Sequence, residues 1–348
     1  MKILKTAVVG LGRIGWNLHI PKLTQRPEQF SLVGVVDLSQ ERLAEAKEKY
    51  GVNGYTDIPS LVAAEKPDLV VIASPTHLHR DHACTALKLG CDVFLDKPMA
   101  ASYEEALEIA ACAREEGRKI MVYQPRRADA APNQLMALIA SGKIGALKSI
   151  RRSYGAYVRR ADWQAFKKFG GGMLNNYGAH QIDAALYITG EKVKRVFCDK
   201  NTVASAGAAD DVVKVFFRME SGVTVDIDIN QAAAVSATEW VINGSCGGII
   251  SQVGPDRKQQ FRLRYFDPKA VPEITASAAL AAANRSYNND VPLPWTEEII
   301  PLDEAYAIDF YGKVYEYYGQ DKAPYVPIAE TLYVMELIDL CHKDAEST

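Results

Sequence analysis

Residues 5–15, "KTAVVGLGRIG", join a short apolar run to a GxGxxG loop, and few folds accommodate that junction. A glycine-rich hexapeptide alone is a weak signal. Here it follows a strand-like run and opens a helix-compatible stretch to about residue 26. It then leads to a second buried-type strand, "SLVGVVD" (31–37), ending in Asp37. That is the context of a dinucleotide-binding βαβ unit. Gly10 then permits the tight turn, Gly12 lets the backbone approach a pyrophosphate, and Gly15 lets helix and strand pack closely. Free amides at the helix start hold the phosphates. Asp37 can accept hydrogen bonds from an adenosine ribose and repels a 2′-phosphate, so NAD is the expected cofactor. Arg13, Ser39 and Arg42 keep NADP as the alternative, for a chain in which Asp37 points away.

The alternation continues. "QERLAEAKEKYG" (40–51) reads as an amphipathic helix closed by Gly51, and strands are expected at 68–74, 92–97 and 119–123. Helical stretches lie near 80–90 and 103–117, the latter with glutamates early and Arg114 late. Strands alternating with helices indicate a parallel sheet covered on both faces. From about residue 147 the pattern changes. "VTVDIDI" (223–229) alternates strictly, and 211–219, 239–244 and 261–266 also read as strands. These form a mostly antiparallel sheet with one face available for packing. Residues 268–300 show few strand signals, and 329–343 is a closing amphipathic helix.

The fold class is therefore α/β: an N-terminal Rossmann domain, 1–125, and a C-terminal α+β domain, 126–348, with an open-faced sheet. A chain of 348 residues has two domains as its default. Its net charge of −3 gives no general reason to bind nucleic acid or an anionic membrane. The basic run "RRSYGAYVRR" (151–160) is read as a solvated strand face. Six scattered cysteines without a CxxC pair fit reduced thiols in a cytoplasmic protein. No run approaches the roughly 20 apolar residues of a membrane span, and the N-terminal apolar stretch is too short and glycine-broken for a signal peptide.

"GCDVFLDKPMA" (90–100) ends an expected parallel strand in Asp96-Lys97-Pro98. The carboxyl ends of such strands border the ligand crevice. A lysine there can donate to a substrate hydroxyl and stabilise charge developing on oxygen, and Pro98 restricts Lys97 to an extended backbone.

With that lysine, the chain resembles the glucose–fructose oxidoreductase/inositol dehydrogenase/MocA family over nearly its whole length. The resemblance rests on "VVGLGRIG" (8–15), "ASPTHLHRDHACTALKLGCDVFLDKP" (73–98), "RRADAAPNQLMALIASGKIG" (126–145), "GGGMLNNYGAHQID" (170–183) and "YVPIAETLYVMELID" (325–339). It implies NAD(P)-linked oxidation or reduction of sugars, cyclitols or related polyols, and oligomer contacts through the open sheet, giving a homodimer or homotetramer. The family's usual Glu-Lys-Pro is Asp96-Lys97-Pro98 here, and the resemblance implies that this lysine touches substrate and nicotinamide. By the same resemblance, Ile14, Ser74, Pro75, Thr76, His79 and Gln124 join the cofactor site.

"THLHRDH" (76–82) clusters His77, His79 and His82, but no ligand spacing completes a metal pattern, and a helix start is the better reading. Asn175 or Asn176 is expected to cap a helix over 176–189 that stops at Gly190. Asn176, His180, Asp183 and Tyr187 then share one stripe, either a wet helix face or a wall facing substrate. The resemblance implies an Asp-x-x-x-His pair on this helix that positions and deprotonates the substrate hydroxyl. His180 matches, and Asn176 stands where the aspartate belongs. An amide cannot stabilise an imidazolium by charge, so His180 is a weaker base unless Asp183 substitutes.

The chain is thus expected to be a dehydrogenase in which His180 takes the hydroxyl proton, Lys97 stabilises the alkoxide, and Asn176 and Asp183 orient the ring. Tyr123, Arg127, Tyr157, Arg160 and Trp163 are candidate pocket walls. The competing readings are a same-fold enzyme using bound NAD transiently for elimination or glycoside cleavage, and a non-catalytic sugar or dinucleotide sensor.

Overall fold

The computed structural model of the protein describes residues 2–274 and 292–347. Its first sheet contains β1 (Leu4–Val9), β2 (Phe30–Val36), β3 (Asn53–Tyr55), β4 (Leu69–Ile72), β5 (Asp92–Leu95) and β6 (Ile120–Val122), all parallel, in the order β3-β2-β1-β4-β5-β6. The strand order reverses between β1 and β4, and such a switch point opens a crevice at the carboxyl ends of the strands. Helices α1 (Ile20–Thr24), α2 (Gln40–Tyr50), α3 (Ile58–Glu65), α4 (His79–Lys88) and α5 (Tyr103–Glu115) cover it. Local chemistry fixes their ends. Ser39 Oγ accepts from Arg42 N to start α2, Gly51 closes it at φ 70°, and Ser102 accepts from Glu105 N to start α5.

The second sheet has eight strands: β7 (Leu147–Gly155), β8 (Val193–Asn201), β9 (Val212–Met219), β10 (Thr224–Asn230), β11 (Trp240–Gly244), β12 (Gly247–Val253), β13 (Gln259–Tyr265) and β14 (Thr296–Pro301). The order is β14-β13-β12-β11-β7-β10-β9-β8, and only β7–β10 is parallel. Alternation decides its faces. Val213, Val215, Phe217, Val225, Ile227 and Ile229 are buried, while Phe197 and Phe216 stand on the opposite face, 51% and 44% exposed. The buried face is covered by α7 (Ala179–Thr189) and α9 (Ile328–Ser347), with α6 (Ala130–Ala140) beside α7.

Two expectations change, and a helix not expected from the sequence joins the first core. Most of the uncertain segment 268–300 lies outside the described residues, but its end, Thr296–Pro301, is the edge strand β14. The run 151–160 is only partly a solvated face: Arg151 is exposed beside Asp226, whereas Arg152 is buried 4.1 Å over the Trp240 ring and paired with Glu239. Helix α8 (Phe310–Gln320), late in the chain, packs against the first sheet. Phe310, Tyr311 and Tyr315 share a core with Leu4, Phe30 and Phe94.

Candidate active site

A cleft of about 1030 Å³ runs between the carboxyl edge of the first sheet and the start of the helix ending in α7. Its first wall is backbone. Gly10 has φ +92°, and a side chain there would strike the Ala73 carbonyl at 2.8 Å. A Cβ on Gly15 would lie 1.9 Å from Gly10 O, whereas one on Gly12 would meet nothing within 4 Å and Gly12 lines the cleft. Two glycines are therefore required by packing, and the third keeps a stretch of backbone open to a ligand. The helix that follows begins as a π-helical turn, Gly15–His19, before α1.

Asp37 is fixed at the end of β2. Its Oδ2 accepts from Leu11 N at 2.7 Å, its Oδ1 from Ser39 N at 2.9 Å, and Arg42 lies 3.5 Å away. Ser74, Pro75, Thr76 and His79 also line the cleft, as do Arg13 and Ile14. His79 is buried, with Nδ1 2.9 Å from Pro98 O and Nε2 2.8 Å from Ser74 O. Burial pulls its pKa down to about 4 against those carbonyls, and a neutral ring, with a single N–H, donates to one of the two. His82 reaches Ser74 Oγ, and His77 rests against Phe169. Among the described residues no three potential metal ligands come together.

The second wall is made of side chains. Lys97 follows β5 and precedes a cis peptide to Pro98. Its Nζ donates to Asn176 Oδ1 at 2.6 Å and to Asn176 O at 3.0 Å. Burial, opposed by Asp96 and assisted by Arg126, Arg13 and Arg160, brings the ammonium down to about 8. The Asn176 amide donates in turn to Gln164 Oε1. One turn on, His180 lines the same cleft; its Nδ1 is buried without a partner, leaving Nε2 as the nitrogen open to the cavity. Burial, then the nearby Lys97, Arg126 and Arg152 charges, hold its pKa well below 6.5. A neutral imidazole beside a polarised ammonium can accept a proton from a hydroxyl placed between them.

The asparagines do not cap this helix. It begins earlier, in a π-helical turn Leu174–Gly178, where Asp210 receives Leu174 N on Oδ2 and Met173 N on its backbone oxygen. Asn175 folds back to the Gly170 and Gly171 carbonyls, which leaves Asn176 inside the turn and free to meet Lys97. π-turns of this kind often mark functional sites.

Asp183 does not support His180. It is fully buried, and Arg127 grips it with Nε and Nη2, the shortest contact being 2.6 Å; a further ion pair links Arg127 to Glu330 on α9. Desolvation raises the carboxyl and Arg127 opposes it, so the pair joins α7 to the turn before α6. Neither residue lines the cleft, nor does Tyr157, which is exposed and bridged to Ala232. Gln124 is buried with its Oε1 unpartnered, outside the cleft lining. Tyr123, Arg160 and Trp163 do line it.

Arg126, Arg159, Gln164 and Tyr177 line the cleft without having been singled out in the sequence. The "RR" doublet offered Arg126 and Arg127 equally. The short 3-10 turn Pro125–Ala128 separates them, sending Arg127 inward and Arg126 to the cavity.

Residues 4–124 match the family model described as "Oxidoreductase family, NAD-binding Rossmann fold", and 133–250 match that of the GFO/IDH/MocA C-terminal domain. The chain is 29% identical over 197 residues to D-glucoside 3-dehydrogenase of Escherichia coli, a match spanning 54% of this chain and 54% of that relative, so only about half of its length. Inositol 2-dehydrogenase of Corynebacterium glutamicum is 26% identical over 264 residues, 74% of this chain and 76% of that one. The crystal structure of an NAD-binding protein from Listeria innocua shares the fold, with a TM-score of 0.82 at 23% identity, covering 99% of this chain and 96% of that one. With both halves matched and the cleft between them in place, the chain belongs to the GFO/IDH/MocA oxidoreductase family.

Proposed function

We propose that this protein is an NAD-dependent oxidoreductase acting between a secondary alcohol and a ketone of a sugar, cyclitol or related polyol. The observation that carries the reading is the meeting of Lys97, Asn176 and His180 on one wall of a cleft whose other wall is the open glycine backbone. The names of the two dehydrogenase relatives support the same class.

The residues fit a dinucleotide. Open backbone at Gly12 and the amides of the turn after it would hold the phosphates, and Asp37 the adenosine ribose. When bound, the cofactor supplies the two-electron acceptor or donor. The protein's share is proton handling and orientation: neutral His180 receives the hydroxyl proton, Lys97 steadies charge on the substrate oxygen, and Asn176 fixes Lys97. NAD is favoured over NADP because two amides pin Asp37, which therefore cannot readily turn from a 2′-phosphate. We also assign the boundary near residue 125 as the domain division, with α8 returning to the core of the first sheet, a cytoplasmic location, and a homodimer or homotetramer built on the exposed face of the second sheet, where Phe197 and Phe216 lie. No helix among the described residues is long and apolar enough to cross a membrane.

The test is a sugar and cyclitol panel with NAD and NADP in parallel, read by formation of reduced cofactor. Turnover with NAD on a polyol is the expected result. Failure to bind either dinucleotide defeats the reading. Turnover without net reduced cofactor transfers the site to transient redox chemistry, and ligand binding without turnover transfers it to a sensor.

A further inference from the structure

The substrate end of the cleft is more positive than a neutral polyol needs. Lys97, Arg126, Arg159 and Arg160 line it, against two acidic side chains, Asp96 beside Lys97 and Asp162. Asp162 is already committed: it receives Gln164 N and pairs with Arg160. Asp96 faces Lys97 and offsets that charge, which leaves the arginines in excess, and the third carboxylate of the lining, Asp37, is held by backbone amides at the glycine loop.

The two central guanidinium groups have capacity left. Arg126 spends only Nη1, on Asp129, so its Nε and Nη2 make no hydrogen bond among the described residues. Arg160 is 16% exposed and directs Nη1 to Asp162 and Gln164, while its Nη2 makes no hydrogen bond among the described residues. Arg159 is exposed and has no acidic partner among the described residues. The phosphates of a dinucleotide belong at the glycine loop after β1, whereas Arg126 follows β6 and Arg160 follows β7. Arg126 stands instead near enough to Lys97 and His180 to depress both. Arg126 is 47% exposed, so Arg160 supplies the partly desolvated guanidinium, and the unspent donors of both can make charge-assisted hydrogen bonds to an anion, about twice as strong as neutral ones.

We propose that the polyol substrate of this cleft carries an acidic group, a carboxylate or a phosphate ester, held by Arg126 and Arg160. The inference rests on the oxidoreductase reading above and narrows its substrate class.

Matched hexose, hexuronate and hexose 6-phosphate sets in the gluco, galacto and manno series test it on the NADH-saturated protein for binding, and with NAD for turnover. Acidic members should bind and turn over about tenfold to a hundredfold better than their neutral partners. Preference for the hexuronate assigns the carboxylate; preference for the 6-phosphate assigns the ester. Arg126→Gln and Arg160→Gln should each bring the acidic-to-neutral ratio toward one, mainly through KM, with circular dichroism reporting an intact fold. Equal affinity for acidic and neutral members overturns the proposal, as does no binding by any acidic member, or an acidic preference that survives both substitutions. An acidic preference in binding without turnover keeps the anion site and defeats the oxidoreductase reading; turnover of neutral hexoses alone does the reverse.

Discussion

Two of the helices that meet the cleft begin with a π-helical turn, Gly15–His19 on one side and Leu174–Gly178 on the other. The loop leading into the first presents backbone, bare of side chains at Gly12, and its geometry is set by sterics at Gly10 and Gly15 against Gly10 and Ala73. The second presents side chains, and its geometry is set by a chain of hydrogen bonds through Lys97, Asn176 and Gln164. A backbone wall responds to changes in volume. A side-chain wall responds to changes in charge, because each polar group is held by its neighbours in a partly dry site.

The sharpest way to break this contrast is to remove the charged chemistry. Lys97→Ala and His180→Ala should each lower kcat/KM by about 10²–10⁴ while leaving the circular dichroism spectrum intact. Parent-level turnover in either variant would reduce the second wall to scaffold. Next in size is Asp183→Asn, which leaves Arg127 buried with only Glu330 as its charged partner. Breaking a buried pair costs about 3–5 kcal/mol, so denaturant unfolding should show a loss of that order. If stability is unchanged and only pH dependence moves, Asp183 acts on His180 after all.

The backbone wall has its own pair of tests. Gly15→Ala forces a methyl to within 1.9 Å of Gly10 O and should cost about 1–3 kcal/mol of stability together with cofactor affinity. Gly12→Ala meets no protein atom within 4 Å, so stability should hold within about 0.5 kcal/mol while dinucleotide binding weakens about tenfold. Equal loss of stability in both variants would show that Gly12 is structural and not reserved for a ligand.

The two walls also differ in how far they could be read from sequence. Gly15 is required by Gly10, five residues before it, and Gly10 by its own positive φ, so "GLGRIG" after an apolar run carries both, although the Ala73 carbonyl that also bars a side chain at Gly10 lies far along the chain. The second wall depends on partners far apart in the chain. Lys97 and Asn176 meet across 79 positions and Arg127 and Asp183 across 56, and no local pattern says which aspartate faces the imidazole and which an arginine. The helix start was misplaced for the same reason: its cap is Asp210, 36 residues beyond Leu174. Strands with strict alternation, such as β10, were legible. The three-residue β3 and the glycine-led β12 were too weakly patterned, and α8 hid because its aromatic stripe belongs to the core of the first sheet.

The smallest and most discriminating change is Asn176→Asp, which returns a carboxylate to the place the amide occupies. In the parent, Lys97 is protonated below about pH 8 and His180 stays neutral through the physiological range. If the ammonium steadies substrate oxygen, kcat/KM should fall as pH rises through about 8. A carboxylate at the Asn176 Oδ1 position, 2.6 Å from Nζ, favours the protonated lysine and should raise its pKa by about 1–3 units. The alkaline limb should move up accordingly. The same charge favours the imidazolium, so any acidic limb from His180 should move up with it, and the whole active window should shift to higher pH. An unmoved alkaline limb would mean that Lys97 is not the group titrating there. A limb that moves while the acidic side stays fixed would show that the residue at 176 acts on the lysine and leaves the histidine to its burial.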